Sequence, residues 1–432
     1  MTTLKADANE FISYALMFKE RLTSAKTFEE ILPLWRGTSF PYQIQVGDPF
    51  SDEYREEVLT IYERLTKDSY TELNELTSSK QSAESFEVGY PWVTRNLDVI
   101  ACEMAKCVQA MRALHNLGVM NGKIVEFGAG WGNLALPLAK AGQNVTAIDI
   151  DQGFLRRIEA LAAKESVYIS TINADFNQAA REMANDVDAA IFQASFHHCL
   201  NFVQLLESIR DRVLSPSGVI LFLSEPIFRD YTFPWGLRFD GESLWAIMQN
   251  KWLELGFEHS FFSSCLLRCG FFLIESQPVS GYVGSSWAGV PVARTLAFED
   301  WSLPAPYEAT FWDAPERGFG RFCRSESRLP SLQHAHKRLY RLTFRNFSDT
   351  QLTVRVRALS YDSRVIDAGG SATLEVLADG HEVIITSDTY VPNNSINNGD
   401  SRVLGVSLLE VACADSVVAD QSATPESGVT AT

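Results

Sequence analysis

Apolar residues in the first part of the chain recur every three to four positions. Phe11, Ala15, Phe18 and Leu22 form one such series, and Val58, Ile61, Tyr62 and Leu65 another. This is the stripe of an amphipathic helix and predicts a helical N-terminal region over residues 1–100. Pro41 and the Gly47-Asp48-Pro49 cluster interrupt it. A longer helical pattern from Val93 to Leu117 stops at Gly118 and Asn121-Gly122. The pattern then changes to short apolar runs separated by helices. Strands are predicted at Lys123–Phe127, Asn144–Ile150, Val167–Ile172, Val187–Phe192 and Gly218–Leu223. Helices fall between them, through Leu134, Leu136 and Leu138 and again over Gly153–Lys164. Such alternation predicts parallel strands with right-handed crossovers, an α/β doubly wound (Rossmann-like) core over 101–300. From about 310 the period becomes two: Tyr340, Leu342 and Phe344, then Leu352, Val354 and Val356, alternate with polar residues. With turns at Ala368-Gly369-Gly370, Asp379-Gly380 and Asn397-Asn398-Gly399-Asp400, this predicts an antiparallel β-sandwich over 308–412. The remaining 413–432, rich in Ala, Ser, Thr and Asp, has no pattern and is expected to be a disordered tail.

Composition narrows the function classes. A chain of 432 residues exceeds one ordinary core, and its net charge of −17 would repel a phosphate backbone. Nucleic acid is therefore excluded as a partner. No run approaches the ~18 apolar residues of a membrane span, and the N-terminus has no basic start followed by an apolar stretch, so a cytoplasmic protein is expected. The seven cysteines include no Cys-x-x-Cys pair, as in a reducing compartment. Cys265 and Cys269 share a helix face without further zinc ligands, and no other metal constellation stands out.

The densest chemical signal is Glu126-Phe127-Gly128-Ala129-Gly130-Trp131-Gly132, the turn after the first predicted strand. Glycines there let a ligand lie against bare backbone, and the next helix offers free N–H groups. A dinucleotide fold would need a glycine three residues after Gly130, where Asn133 stands. Asp149 closes the second strand, 21 residues after Gly128, placed to accept a pair of ribose hydroxyls. Asp151 suits a helix N-cap better. Asn173-Ala174-Asp175-Phe176 follows the third strand, and Phe192-Gln193-Ala194-Ser195-Phe196-His197-His198 the fourth. Strand ends of this kind border the ligand crevice.

The Gly-x-Gly-x-Gly turn behind an acid resembles that of class I S-adenosylmethionine (SAM)-dependent methyltransferases. The resemblance implies an enzyme with a seven-stranded core and SAM as cofactor. It implies that Glu126, Gly128, Ala129, Gly130, Gly132, Asp149 and Gln193 belong to the cofactor site, with Asp175 on the adenine amino group and Phe176 against its ring. Methyl transfer is a direct displacement in which the enzyme aligns the acceptor and excludes water. A hydroxyl acceptor must also lose a proton, and His198 first, His197 second, are the candidate bases, with Glu225 to orient a histidine. The Asn/Asp-Pro-Pro-Tyr/Phe signature of nucleic-acid amino methyltransferases is absent. Between Pro226 and Leu253 lies an aromatic-rich insertion whose Tyr231, Trp235 and Arg238, with Trp92, are candidates for a flat amphipathic acceptor.

The C-terminal region is similar to a small β-sandwich appended to enzymes of bacterial surface-polysaccharide biosynthesis. Glu316-Arg317-Gly318-Phe319-Gly320-Arg321-Phe322, Ser387-Asp388-Thr389-Tyr390-Val391-Pro392 and Asp400-Ser401-Arg402-Val403-Leu404-Gly405 carry the likeness, with Phe322 where a tryptophan is expected. This implies O-methylation of a sugar of a surface glycan or its precursor, with other glycan-assembly enzymes as partners through the β domain. The alternatives are N- or C-methylation of a small molecule or nucleotide sugar, and a glycan-binding scaffold with an inactive methyltransferase-like domain.

Overall fold

The computed structural model describes residues 8–25, 28–37, 47–276, 286–330, 338–392 and 400–415. The break expected at Pro41, the turn at Asn397-Asn398-Gly399 and the tail from residue 416 lie outside the described residues. The chain divides into two units. The first is Met1–Pro291 with Trp301–Ala305, and the second Val292–Asp300 with Pro306–Thr432.

In the first unit the strands in chain order are β1 Lys123–Phe127, β2 Asn144–Asp149, β3 Ile169–Asn173, β4 Val187–Gln193, β5 Leu214–Leu223, β6 Ile227–Phe228, β7 Trp235–Leu237, β8 Leu255–Glu258, β9 Phe271–Ser276 and β10 Ser286–Pro291. Seven of them form one sheet in the order β3-β2-β1-β4-β5-β10-β9. β3, β2, β1, β4 and β5 pair in parallel, whereas β10 runs antiparallel to both β5 and β9. The sheet is therefore mixed, and its doubly wound part is the half that carries the glycine turn.

Successive residues on the central strands point to opposite faces, and both faces are covered. Val125, Phe127, Ile148, Phe192 and Phe222 join Tyr54, Val58, Ile61 and Tyr62 of the helix Asp52–Thr66 in one core. Ile124, Val145, Ala147, Ile191 and Leu221 pack instead with Ala110, Ala113 and Leu114 of the helix Leu97–Asn116, and with Leu155 and Ile158. The N-terminal helices are thus part of the sheet's own cover.

The aromatic insertion is a packed subdomain. β6, β8 and β7 make a small sheet in that order, with Phe233, Trp235, Leu237 and Phe239 buried. Trp235 Nε1 donates to Pro49 O at 2.7 Å, and Tyr54 Oη donates to Trp235 O at 2.8 Å. Those bonds satisfy the two rings' polar tips inside an apolar environment.

In the second unit Arg338–Arg345 pairs antiparallel with Ser371–Ala378 and with Ser407–Asp415. A second sheet places Leu352–Arg357 between Tyr361–Ile366 and Val383–Ser387. Tyr340, Leu342, Phe344, Val354 and Val356 are buried, as their period of two requires. The last strand continues to Asp415, three residues into the segment expected to be patternless. Val411 and Cys413 are both buried there, and Cys413 is opposite Tyr340, so the alternation persists through a stretch whose composition hides it.

Candidate active site

After β1 the chain turns at Gly128, Gly130 and Gly132, whose φ angles are +75°, +48° and +75°. A Cβ on Gly128 would lie 2.7 Å from Ser195 Cβ, and one on Gly132 would lie 2.8 Å from Ile158 Cγ1. Both glycines are needed for close packing as well as for conformation. Gly130 differs, because a Cβ there would meet nothing within 4 Å. The N–H groups of Gly128 and Ala129 donate to Ile148 O at 2.8 and 3.0 Å, which ties the turn to the end of β2.

Asp149 completes that tie. Its Oδ2 accepts Gly130 N–H at 2.8 Å and its Oδ1 accepts Asp151 N–H at 2.8 Å. Burial pushes its pKa up to about 6, against those two hydrogen bonds. Asp151 caps the helix Gln152–Lys164 through Gly153 N–H. It also accepts Thr77 N–H at 2.8 Å and Ser78 N–H at 2.6 Å, fastening the segment before residue 80 beside the strand ends. Glu126 lies beneath the turn and is fully buried. Desolvation raises its pKa to about 8 despite a hydrogen bond from Ala135 N–H. Its Oε2, like Gln193 Oε1, has no hydrogen-bond partner among the described residues.

A cleft of about 830 Å³, counting the space open to solvent, runs along these strand ends. Gly128, Asp149, Asp175, Phe176 and His198 line it, together with Ile150 and Phe154. Asp175 also caps the helix Phe176–Glu182, its Oδ1 accepting Gln178 N–H at 2.9 Å. Glu126, Ala129, Gly130, Gly132 and Gln193 are not among the lining residues. The opposite wall, Tyr70, Glu72 and Glu75, was not anticipated, because these residues follow no motif and no period.

At one end of the cleft the loop after β4 is organised by Glu225. Ser195 N–H and Phe196 N–H donate to its Oε1 at 2.8 and 2.9 Å, and His197 N–H donates to its Oε2 at 3.2 Å. His197 Nδ1 lies 2.8 Å from the same Oε2. Burial works to raise the Glu225 pKa, but His197 and these N–H groups overcome it and hold the carboxyl below its ordinary range. Glu225 therefore fixes His197 rather than meeting the cleft itself. His198 faces the cleft, with Nδ1 3.2 Å from Glu75 Oε2, an ion-pair distance off the line of a directed hydrogen bond. Desolvation opposes its charge, yet Glu75, Glu254 and Glu225 push its pKa up to about 9.

Two further corrections concern the acceptor and the metal. Trp235 is buried, and Tyr231 packs against the core with its hydroxyl donating to Leu237 O at 3.1 Å. Trp92 is exposed and does not line the cleft. Arg238 pairs with Asp240 at 3.0 Å and with Glu254 at 3.6 Å. Phe233, Trp235 and Phe239 of the insertion are core residues, whereas Phe228 is exposed. Where no metal constellation was expected, His197, His198 and Glu254 stand together. No helix of the described residues is long and apolar enough to cross a membrane.

Residues 125–222, from β1 to β5, match the family profile of a methyltransferase domain. No curated protein matches the chain. Among solved structures it is similar to a 1,6-didemethyltoxoflavin-N1-methyltransferase of Burkholderia thailandensis, solved with S-adenosylhomocysteine. The two are 17% identical, with TM-score 0.36, over 48% of this chain and 84% of that one. It is also similar to a magnesium protoporphyrin IX methyltransferase of Synechocystis with bound SAM, at 14% identity and TM-score 0.35, over 57% of this chain and all of that one. A SAM-dependent methyltransferase of Aquifex aeolicus matches at 15% identity and TM-score 0.32, over 42% and 88%. The match to a methyltransferase domain thus covers the stretch from β1 to β5, which carries the glycine turn and Asp149.

Proposed function

We propose that this chain is a SAM-dependent methyltransferase acting on an oxygen of a small hydroxylated acceptor. The observation that carries this reading is the convergence of Gly128, Asp149 and Phe176, all within the matched residues, on one cleft. The donor's chemistry is a methyl group on a sulfonium, transferred by displacement with loss of the neutral thioether.

The residues present suit that donor. Gly130 presents bare backbone with open space where a Cβ would be, room for the amino-acid end of the ligand. The unpaired buried oxygens of Glu126 and Gln193 stand ready behind the turn for a donor such as an ammonium. Asp149 spends one lone pair on each oxygen within the protein, which leaves one on each for two ribose hydroxyls. Ile150, Phe154 and Phe176 offer apolar faces to a base, and Asp175 Oδ2 an acceptor for its amino group. The cleft's charged lining is Glu72, Glu75, Asp149, Asp175 and His198, with no lysine or arginine, a field that favours a cationic ligand.

On this reading the acceptor would lie at the Glu225-organised end, with the methyl carbon facing the loop after β4. A sugar hydroxyl of a surface glycan precursor is the acceptor class that the C-terminal resemblance supports. The buried rings of the insertion no longer argue for it. Calorimetry with SAM tests the reading: micromolar binding is expected in the chain and its loss in Asp149→Ala. Transfer of label from methyl-labelled SAM to a panel of nucleotide sugars and simple glycosides tests the acceptor. Absence of SAM binding by the intact, folded chain would overturn the proposal in favour of a scaffold.

A further inference from the structure

The corner beside the cleft is built like a metal site. The donor atoms of His197, His198 and Glu254 all lie within 4.8 Å of one another, a little more than two metal–ligand bonds of ~2.1 Å laid end to end. His197 and Glu254 are buried, with His197 Nε2 3.6 Å from Glu254 Oε2. The surroundings of the two rings add an independent reason. His197 Nδ1 is 2.8 Å from the buried Glu225 carboxylate, and His198 Nδ1 is 3.2 Å from Glu75. An imidazole whose Nδ1–H is held by a carboxylate has its lone pair on Nε2, the arrangement in which metal-bound histidines are fixed. Glu225 fixes His197 in this way, while Glu75 stands at ion-pair distance from His198 without a directed hydrogen bond to it. Glu75, Glu225 and Glu254 outnumber the one guanidinium at the corner, Arg238, whose Nη1 lies 3.6 Å from Glu254 Oε2.

We propose that His197, His198 and Glu254 bind one divalent first-row cation, with Glu225 as the carboxylate that orients the His197 imidazole and Glu75 adding negative charge beside His198. Two imidazoles and one carboxylate favour Mn²⁺, Fe²⁺, Co²⁺ or Zn²⁺ over Mg²⁺, which prefers oxygen ligands. Three protein ligands leave coordination positions open, and His198 belongs to both the trio and the cleft wall. The acceptor this suits carries two adjacent oxygens, as a vicinal diol does; the cation would hold the reacting hydroxyl and acidify it, so that its proton passes to solvent while the oxygen takes the methyl group and the neutral thioether leaves. The role in transfer rests on the methyltransferase reading above, but the binding of the cation does not.

The test uses the full chain, stripped with a chelator and dialysed, then titrated with CoCl₂, ZnCl₂ and MgCl₂ in separate calorimetric runs without SAM. One equivalent of Co²⁺ or Zn²⁺ is expected, at least tenfold tighter than Mg²⁺, and the Co²⁺ protein should show visible d–d absorption. Glu254→Gln and His197→Gln should each weaken Co²⁺ binding by tenfold or more, with circular dichroism confirming the fold. Asp149→Ala should lose SAM and keep the metal, which separates failure of this proposal from failure of the cofactor reading. No saturable Co²⁺ or Zn²⁺ binding up to millimolar concentration would overturn the proposal. So would binding that is unchanged in both folded variants.

Discussion

The turn after β1 and the corner after β4 sit at the ends of neighbouring strands yet are built on opposite principles. The turn is made of backbone: three glycines, two N–H groups on Ile148 O and one carboxylate, all within about twenty residues of sequence. The corner is made of side chains drawn from residues 75, 197, 198, 225 and 254. A backbone site is broken by adding atoms, and a side-chain site by removing or neutralising them. The two should therefore respond oppositely to substitution.

The largest effect is expected at the corner. Glu225→Gln replaces the carboxylate that accepts three N–H groups and faces His197, and should lower kcat by ~10²–10³-fold, in the range seen when positioned catalytic groups are removed. SAM affinity should stay within about threefold, a split that transfer kinetics and calorimetry together would read. A parallel loss of SAM binding would mean that the corner and the turn are one unit. Next comes the turn itself. Gly130→Val should abolish measurable SAM binding while costing about 1–2 kcal/mol of stability, because its side chain meets only open space and the strain is conformational. Gly128→Val meets Ser195 and should destabilise by about 2–4 kcal/mol as well, seen as a lower urea midpoint.

A smaller effect should follow pH. In the proposed cofactor site Asp149 would accept two ribose hydroxyls best as a carboxylate, and burial pushes its pKa up to about 6. Between pH 7.5 and 5 the ionised fraction falls roughly tenfold, and SAM affinity should fall with it. The apo fold moves the other way. A carboxyl whose folded pKa exceeds its unfolded value near 3.8 gains stability as pH drops from about 6 to 4. Affinity and apo stability that change in the same direction through this window would remove Asp149 from the ribose role. The smallest effect is Trp92→Ala. An exposed ring away from the cleft should change neither melting temperature nor transfer rate beyond about 0.5 kcal/mol.

These two regions also explain what could be read from the chain. The turn, Asp149 and the cap at Asp151 were legible because they are local: a glycine needed for positive φ and an acid at a strand end leave short-range signatures. The corner was half legible. His197 and His198 follow a recognisable strand, but Glu75 and Glu254 lie in segments with no period, and nothing short of the fold brings them to the same place. The insertion was misread as a binding rim because aromatic content does not say which side of a ring meets water. Trp235 is claimed by Pro49 and Tyr54, more than 180 residues earlier. The antiparallel β10 was hidden for a similar reason, since an apolar run carries no mark of its direction.

The fastening of Thr77 and Ser78 to Asp151 has a consequence for any attempt to trim this chain. The wall that carries Tyr70, Glu72 and Glu75 is anchored two places beyond Asp149. Removing the first hundred residues would thus take away one wall of the cleft and leave Asp151 without two of its N–H donors. A shuffled chimera that exchanged only this segment for a relative's would vary that wall over unchanged strand ends, provided the graft keeps its two N–H groups for Asp151.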